Sequence, residues 1–161
     1  MARTESEPGH QTTFYKEGER SAFFYIRFTF QTFSVKISAM EFLNKAEENL
    51  TAAQICFDNG LFNACANRAY YAALHAAIAA LAHRGIRRDK IDHGQVQADF
   101  SGELINRRKI YPAKFRSYLY DMQLVRNKAD YSEDNITQQR AGRWFARIKE
   151  LIELIKKELD R

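Results

Sequence analysis

The sequence has little that punctuates or staples a chain: two Pro, seven Gly, two Cys and one Trp in 161 residues. So few turn formers exclude a turn-rich sandwich, a collagen-like fibre and a Pro-rich disordered chain. Cys56 and Cys65 stand nine apart with no CxxC spacing and no ligand-like His beside them, so neither a disulfide framework nor a zinc site is expected. Both thiols are read as small buried hydrophobes in a reducing cytoplasm. Long apolar runs are missing too. The one burst outside the helical region, Phe23 to Phe33, is too short to span a bilayer and is broken by Arg27. Glu5, Glu7, Glu17 and Glu19 before it do not suit a signal peptide, so no membrane partner is expected.

Catalytic signatures are absent in the same way. There is no GxGxxG, no P-loop, no HExxH, no GxSxG and no paired DxD, which argues against a nucleotide-hydrolysing loop and assigns no cofactor. The four histidines, His10, His75, His83 and His93, are scattered; His75 and His83 lie eight apart on one helix, and no metal is assigned to them. His75 reads as a helix-contact residue with one nitrogen satisfied, and His83 as a favourable charge near a helix C-terminus.

What is there points to helix. At 45% hydrophobic the chain suits one compact domain, and ten Ala fall between residues 61 and 82. Residues 1–21, polar with Pro8, Gly9 and Gly18, read as a disordered lead. Residues 22–33 alternate, with Phe24, Ile26, Phe28 and Phe30 on one side, which is the pattern of a single strand with nothing to pair with. Residues 1–39 are therefore expected to be an N-terminal extension, either disordered, docked on the domain or on a partner, or lying upstream of a natural start at Met40. Residues 40–161 form the expected domain.

Ser38 with Glu41 suggests a capping box, and Leu43, Ala46, Leu50, Ala53 and Phe57 repeat at three and four up to a stop at Asp58-Asn59-Gly60. A central helix runs from Leu61 to Arg84, stops at Gly85, and carries a stripe of Ala69, Ala73, Ala76 and Ala80 along which another helix can approach closely. A weaker helix, His93 to Arg108, is interrupted by Gly94 and Gly102. Pro112 opens a fourth, carried by Phe115, Leu119, Met122 and Val125, and the last, Thr137 to Leu159, has the stripe Trp144, Ile148, Leu151, Ile152, Ile155 and Leu159. The expected fold is all-α, a four- to five-helix up-and-down bundle with a variable N-terminal extension.

The chain carries Lys+Arg 25 against Asp+Glu 20, a net +5, which permits binding to phosphate polymers without requiring it. Bases concentrate between residues 84 and 116, Arg107 and Arg108 among them, with Tyr111, Phe115, Tyr118 and Tyr120 interleaved. Bases with aromatics hold phosphates and stack nucleobases; the plainer reading is solvated loop charge beside core aromatics. Arg126 shares a helical face with Phe115, Leu119 and Met122, an unusual place for a guanidinium. It needs a fixed partner: Asp130 at i+4, a symmetry mate, or a phosphate.

Three blocks together resemble the HEPN family of small helical bundles (higher eukaryotes and prokaryotes nucleotide-binding). Asn67-Arg68-Ala69-Tyr70-Tyr71-Ala72-Ala73-Leu74-His75-Ala76-Ala77 looks like the family's central-helix signature. His93-Gly94-Gln95-Val96 with Phe100 and Lys109-Ile110 is similar to its middle segment, and Arg126-Asn127-Lys128-Ala129-Asp130-Tyr131 looks like its late signature.

The resemblance implies a homodimer with its late-signature helices facing each other, often paired with a minimal nucleotidyltransferase antitoxin. It implies that catalytic members are metal-independent RNases using an Arg, the polar residue after it and a His about five positions on. Arg126 matches the Arg and Asn127 the polar residue, but Tyr131 stands where the His belongs and no His follows. Arg126, Asn127 and Tyr131 are thus the candidate catalytic residues, and Arg68, Tyr71, His75, Asp130, Arg107 and Arg108 the candidate ligand- or partner-binding ones. Losing a general acid or base typically costs about 10²- to 10⁴-fold. The preferred reading is a module that binds nucleotide, RNA phosphate or a partner nucleotidyltransferase and cuts weakly or not at all. The alternatives are a toxin-like endoribonuclease with a site composed across the dimer, and a purely structural helical adaptor that binds another helix through its Ala stripe.

Overall fold

A computed structural model describes residues 17–161 except 89, with side chains from residue 38 onward. The chain divides into two compact units, Met1–Phe33 and Ser34–Arg161. Five α-helices carry the described chain: α1 Glu17–Asp58, α2 Phe62–His83, α3 His93–Asp99, α4 Tyr118–Tyr131 and α5 Gln138–Leu159.

The strand expected over 22–33 is helix instead, and so are residues 17–21 of the expected disordered lead; residues 1–16 lie outside the described residues. The reason is twofold. No Gly or Pro occurs between Gly18 and Gly60 to break a helix, and β propensity expresses itself only where a neighbouring strand supplies packing and hydrogen bonds. For the same reason Ser38 is no cap but sits within α1.

In the Ser34–Arg161 unit, α1 ends where Gly60 takes a left-handed φ of 74°, and α2 ends at Gly85 with φ 76°; only a residue without Cβ adopts that turn freely. Side chains fix the helix polarity. Glu47 pairs with Lys156 at 2.6 Å, while Phe57 stacks on Phe145 with centroids 6.3 Å apart, so α1 and α5 are antiparallel. Phe42 meets His75 while Phe57 meets Phe62, which makes α1 and α2 antiparallel. Asn67 reaches Asp130 near the start of α2 and the end of α4; Arg84 and Glu158 pair where α2 and α5 both end. The four long helices therefore run up, down, up, down.

The alanine stripe of α2 is fully buried, with Ala69, Ala73, Ala76 and Ala80 at most 1% exposed, so α2 is the central helix against which α3, α4 and α5 pack. Close approach there is what small side chains permit. The expected α5 stripe is buried throughout, and Thr137 caps that helix by accepting from the Arg140 backbone N–H at 3.3 Å. Asp92 caps α3, accepting from Gln95 N–H at 2.8 Å. Gly102 does not break the helix that follows. The backbone widens into a π-helical stretch, Phe100–Arg107, which turns Phe100, Leu104 and Ile105 into the core and is followed, two residues on, by Lys109 with a φ of 54°. Among the described residues no charged one is fully buried, and no helix is long and apolar enough to cross a membrane.

Candidate functional site

Antiparallel packing of α2 on α4 brings the first and last signature blocks together. The two asparagines of early α2 do the joining. Asn63 accepts from Ile136 N–H at 2.8 Å and donates to Asn135 at 2.9 Å, which ties the α4–α5 connection to the start of α2. One turn on, Asn67 donates to both carboxylate oxygens of Asp130, at 3.1 and 2.9 Å.

Asp130 in turn holds Arg126, with Oδ2 2.8 Å from Nε. The i+4 partner expected from the sequence is thus present. Nε is nonetheless turned too far for a hydrogen bond, so the pair is ionic contact rather than a directed fork. The Arg126 guanidinium lies 5.9 Å from the Tyr71 ring centroid and 5.8 Å from that of Tyr131, and a weak 3.4 Å contact reaches Asn127.

Arg68 converges on the same ring, 5.5 Å from Tyr71, and its hydrogen-bond partners are neutral: Asn67 at 2.9 Å and Asn49 at 3.5 Å. Cations over aromatic faces are attracted by the ring quadrupole, but two of them repel each other. With Asp130 as the one carboxylate among these contacts, the cluster keeps a surplus positive charge. Neither Asn67 nor Asn49 is singled out by sequence reasoning, since a contact between residues 67 and 130 leaves no local periodicity to find.

His75 and His93 also meet Tyr71, with centroids at 6.3 and 6.2 Å. His93 shares a hydrogen bond with the Tyr70 hydroxyl at 3.1 Å, and burial raises that phenol above its ordinary pKa, with the Gln97 hydrogen bond opposing. His75 is half-buried and its Nδ1 has no hydrogen-bond partner. Burial, followed by the charge of Lys45, holds His75 below the usual 6.5, against a backbone hydrogen bond with Lys45 that acts the other way.

The folded state thus favours neutral His75. As pH falls below about 6.5 the unfolded chain binds the proton first, and stability declines until the lowered folded pKa is passed. We expect the thermal midpoint to fall between about pH 7 and pH 5, and His75→Gln to shrink that fall. Melts of both proteins across that range check it; an unchanged slope in His75→Gln would assign the loss to another group.

Arg107 and Arg108 lie elsewhere. Both lean on Glu103, Arg107 at 3.0 Å and Arg108 at 3.8 Å, and no contact among the described residues joins them to the Arg126 cluster. Of the interleaved aromatics, Tyr111 and Phe115 are core residues at 5% and 0% exposure, so they offer no face to a base. Tyr120 is exposed. Cys65 is buried as expected and Cys56 only half-buried; both are free thiols, and burial pushes Cys65 up to about 11.

Comparison with known proteins places the chain in a family. The HEPN domain model matches residues 39–159, which takes in all three signature blocks. A protein of Methanocaldococcus jannaschii named "Putative toxin MJ0605" is 35% identical over 114 residues, 71% of this chain and 83% of that protein. On a match of that extent and on the bundle that carries it, the chain belongs to the HEPN domain family.

Proposed function

We propose that this protein is a homodimeric, toxin-like module that holds RNA or nucleotide phosphates at Arg126 and cleaves RNA weakly or not at all, as one component of a cytoplasmic toxin–antitoxin pair whose partner is a minimal nucleotidyltransferase. The observation that carries it is the pair of guanidinium groups, Arg68 and Arg126, set about Tyr71, with Asp130 on Arg126 as the one carboxylate among their contacts. A structural arginine is satisfied by one acid. Here the surplus charge has neutral neighbours, and a phosphate is the ligand that completes such a site. Weak cleavage follows from the residue at 131, because a phenol is a poor base near pH 7.

The dimer is supported by the outer face of α4. Tyr120, Leu124 and Tyr131 are 57%, 50% and 78% exposed and recur at helical spacing with Asn127 between them. Large apolar groups aligned on one exposed face suit a partner surface, and a two-fold axis there sets two Arg126–Tyr131 pairs beside each other. That same face favours the second reading, an endoribonuclease composed of Arg126, Asn127 and Tyr131 from both protomers.

Anisotropy of a labelled single-stranded RNA tests the proposal. Arg126→Ala is expected to weaken binding about 10- to 100-fold, the loss of a charge-assisted contact worth about 1.5–3 kcal/mol, while the protein keeps its helical circular dichroism and runs at the mass of a dimer. Wild-type protein that binds neither RNA nor nucleotide, or an Arg126→Ala variant that binds as wild type does, overturns it.

A further inference from the structure

The first half of α5 carries a second basic feature that the Arg126 site does not use. Gln138 to Lys149 contains four cations and no acid, and Arg140, Arg143 and Arg147, at i, i+3 and i+7, fall on one face of the helix. All three are exposed. The adjoining face is committed to packing: Ala141, Trp144 and Ile148 are buried, and a Cβ on Gly142 would meet the Phe57 ring at 3.3 Å.

None of the three arginines has an ion-pair partner among the described residues. Arg147 lies 4.8 Å from the Trp144 ring and 5.6 Å from Tyr118, which pins one guanidinium by its aromatic neighbours without neutralising it. Glu150, the next acid along the helix, is engaged by Lys114. Together with Thr137, Gln139 and Trp144 the three arginines line a shallow cavity of about 450 Å³.

As helix design this is unfavourable twice over. Like charges at i, i+3 and i, i+4 repel, and cations in the opening turns oppose the helix dipole, where acids are the stabilising choice; the first turn of α5 has none. A stretch that works against its own helix, exposed and free of counter-charge, is matched to an anion brought from outside. Three sites along about 10 Å of helix suit successive charges of a polymer better than a single phosphate.

We infer that the Arg140–Arg143–Arg147 face is a backbone-binding track for single-stranded RNA, separate from the Arg126 cluster and reading no sequence. It rests on RNA being the ligand of this protein. Its contribution is electrostatic, so it is lost with salt: each phosphate released from a single strand changes the slope of log K against log salt by about 0.7.

The test is anisotropy of a labelled single-stranded RNA over a salt series, with full-length wild type, the Arg140→Gln/Arg143→Gln/Arg147→Gln variant, Lys149→Gln and Arg126→Ala. Glutamine is a good helix former, so the triple variant should keep its fold, and a melt verifies it. The expected result is a salt slope shallower by about 2 in the triple variant, with affinity at low salt down by about tenfold or more, and no change in Lys149→Gln. Arg126→Ala should weaken binding with a slope change of at most about 0.7.

A wild type that binds RNA with a slope the triple variant shares overturns the track and leaves the Arg126 reading standing. A wild type that binds no RNA overturns both. Poly-glutamate binding as tightly as RNA, and lost in the triple variant, overturns the track in favour of a surface for an acidic protein.

Discussion

Tyr131→His is expected to raise RNA cleavage by about 10²- to 10⁴-fold over the wild-type rate, the range that one general acid or base supplies. Placement and ordinary acidities set that range. The side chain at 131 lies beside the Arg126 guanidinium, 5.8 Å from its carbon, and is 78% exposed, so an imidazole fits there without displacing core. Phenols ordinarily titrate near 10 and imidazoles near 6.5, so only the latter exchanges a proton readily near pH 7. Arg126 would stabilise charge on the scissile phosphate in either protein. A cleavage time course with EDTA present, beside Tyr131→His/Arg126→Ala, reads the effect. Gain in the single variant and its loss in the double would make Tyr131 the reason for low activity; no gain with RNA binding intact would mean that the Arg126 cluster does not present the phosphate to position 131.

Much of this site was legible in the sequence because it is built from local rules. The Arg126–Asp130 pair is an i+4 spacing on a face that also carries Leu119 and Met122, and the ends of α2 fall within a residue of Leu61 and Arg84 because Gly60 and Gly85 supply left-handed turns. The stripe of α5 is a strong 3.6-residue repeat and needed no tertiary knowledge. What escaped depends on distant partners. Residues 22–33 alternate like a strand, and only the lack among the described residues of a strand to pair with, together with an unbroken stretch from Gly18 to Gly60, decides for helix. Asn67 and Asp130 are 63 residues apart, so their meeting is a property of the bundle. The π-helical stretch after Asp99 looks in the sequence like a weak helix interrupted by glycines, since local propensity carries no mark for one extra residue per turn. The α5 arginines did leave a signal, cations without acids in the opening turns, that goes against the usual helix-terminus preference.

Phe100→Ala is expected to destabilise the protein by about 3–5 kcal/mol, near the top of what one truncation costs. The size of that figure follows from how the core is divided. Central α2 contributes mainly alanines, whose methyl groups let neighbours approach but fill little volume, so the bulk must come from the surrounding elements. Phe100 supplies it from the π-helical stretch: it is 1% exposed and stacks on Tyr111 at 5.4 Å, with Leu104 and Ile105 four and five residues on and also buried. Alanine at 100 leaves a void that the methyl groups of the α2 alanines are too small to fill. Against a typical total of about 5–15 kcal/mol, and at roughly 2–4 °C per kcal/mol for a chain of this size, the midpoint should drop by about 6–20 °C. The loss should reach the site as well, because the same segment continues α3, whose His93 is tied to Tyr70 at 3.1 Å, next to the ring that Arg68 and Arg126 share. A calorimetric scan of Phe100→Ala showing a shift of only about 2 °C would mean that the core collapses onto the gap, and that this stretch is held by its backbone rather than by Phe100.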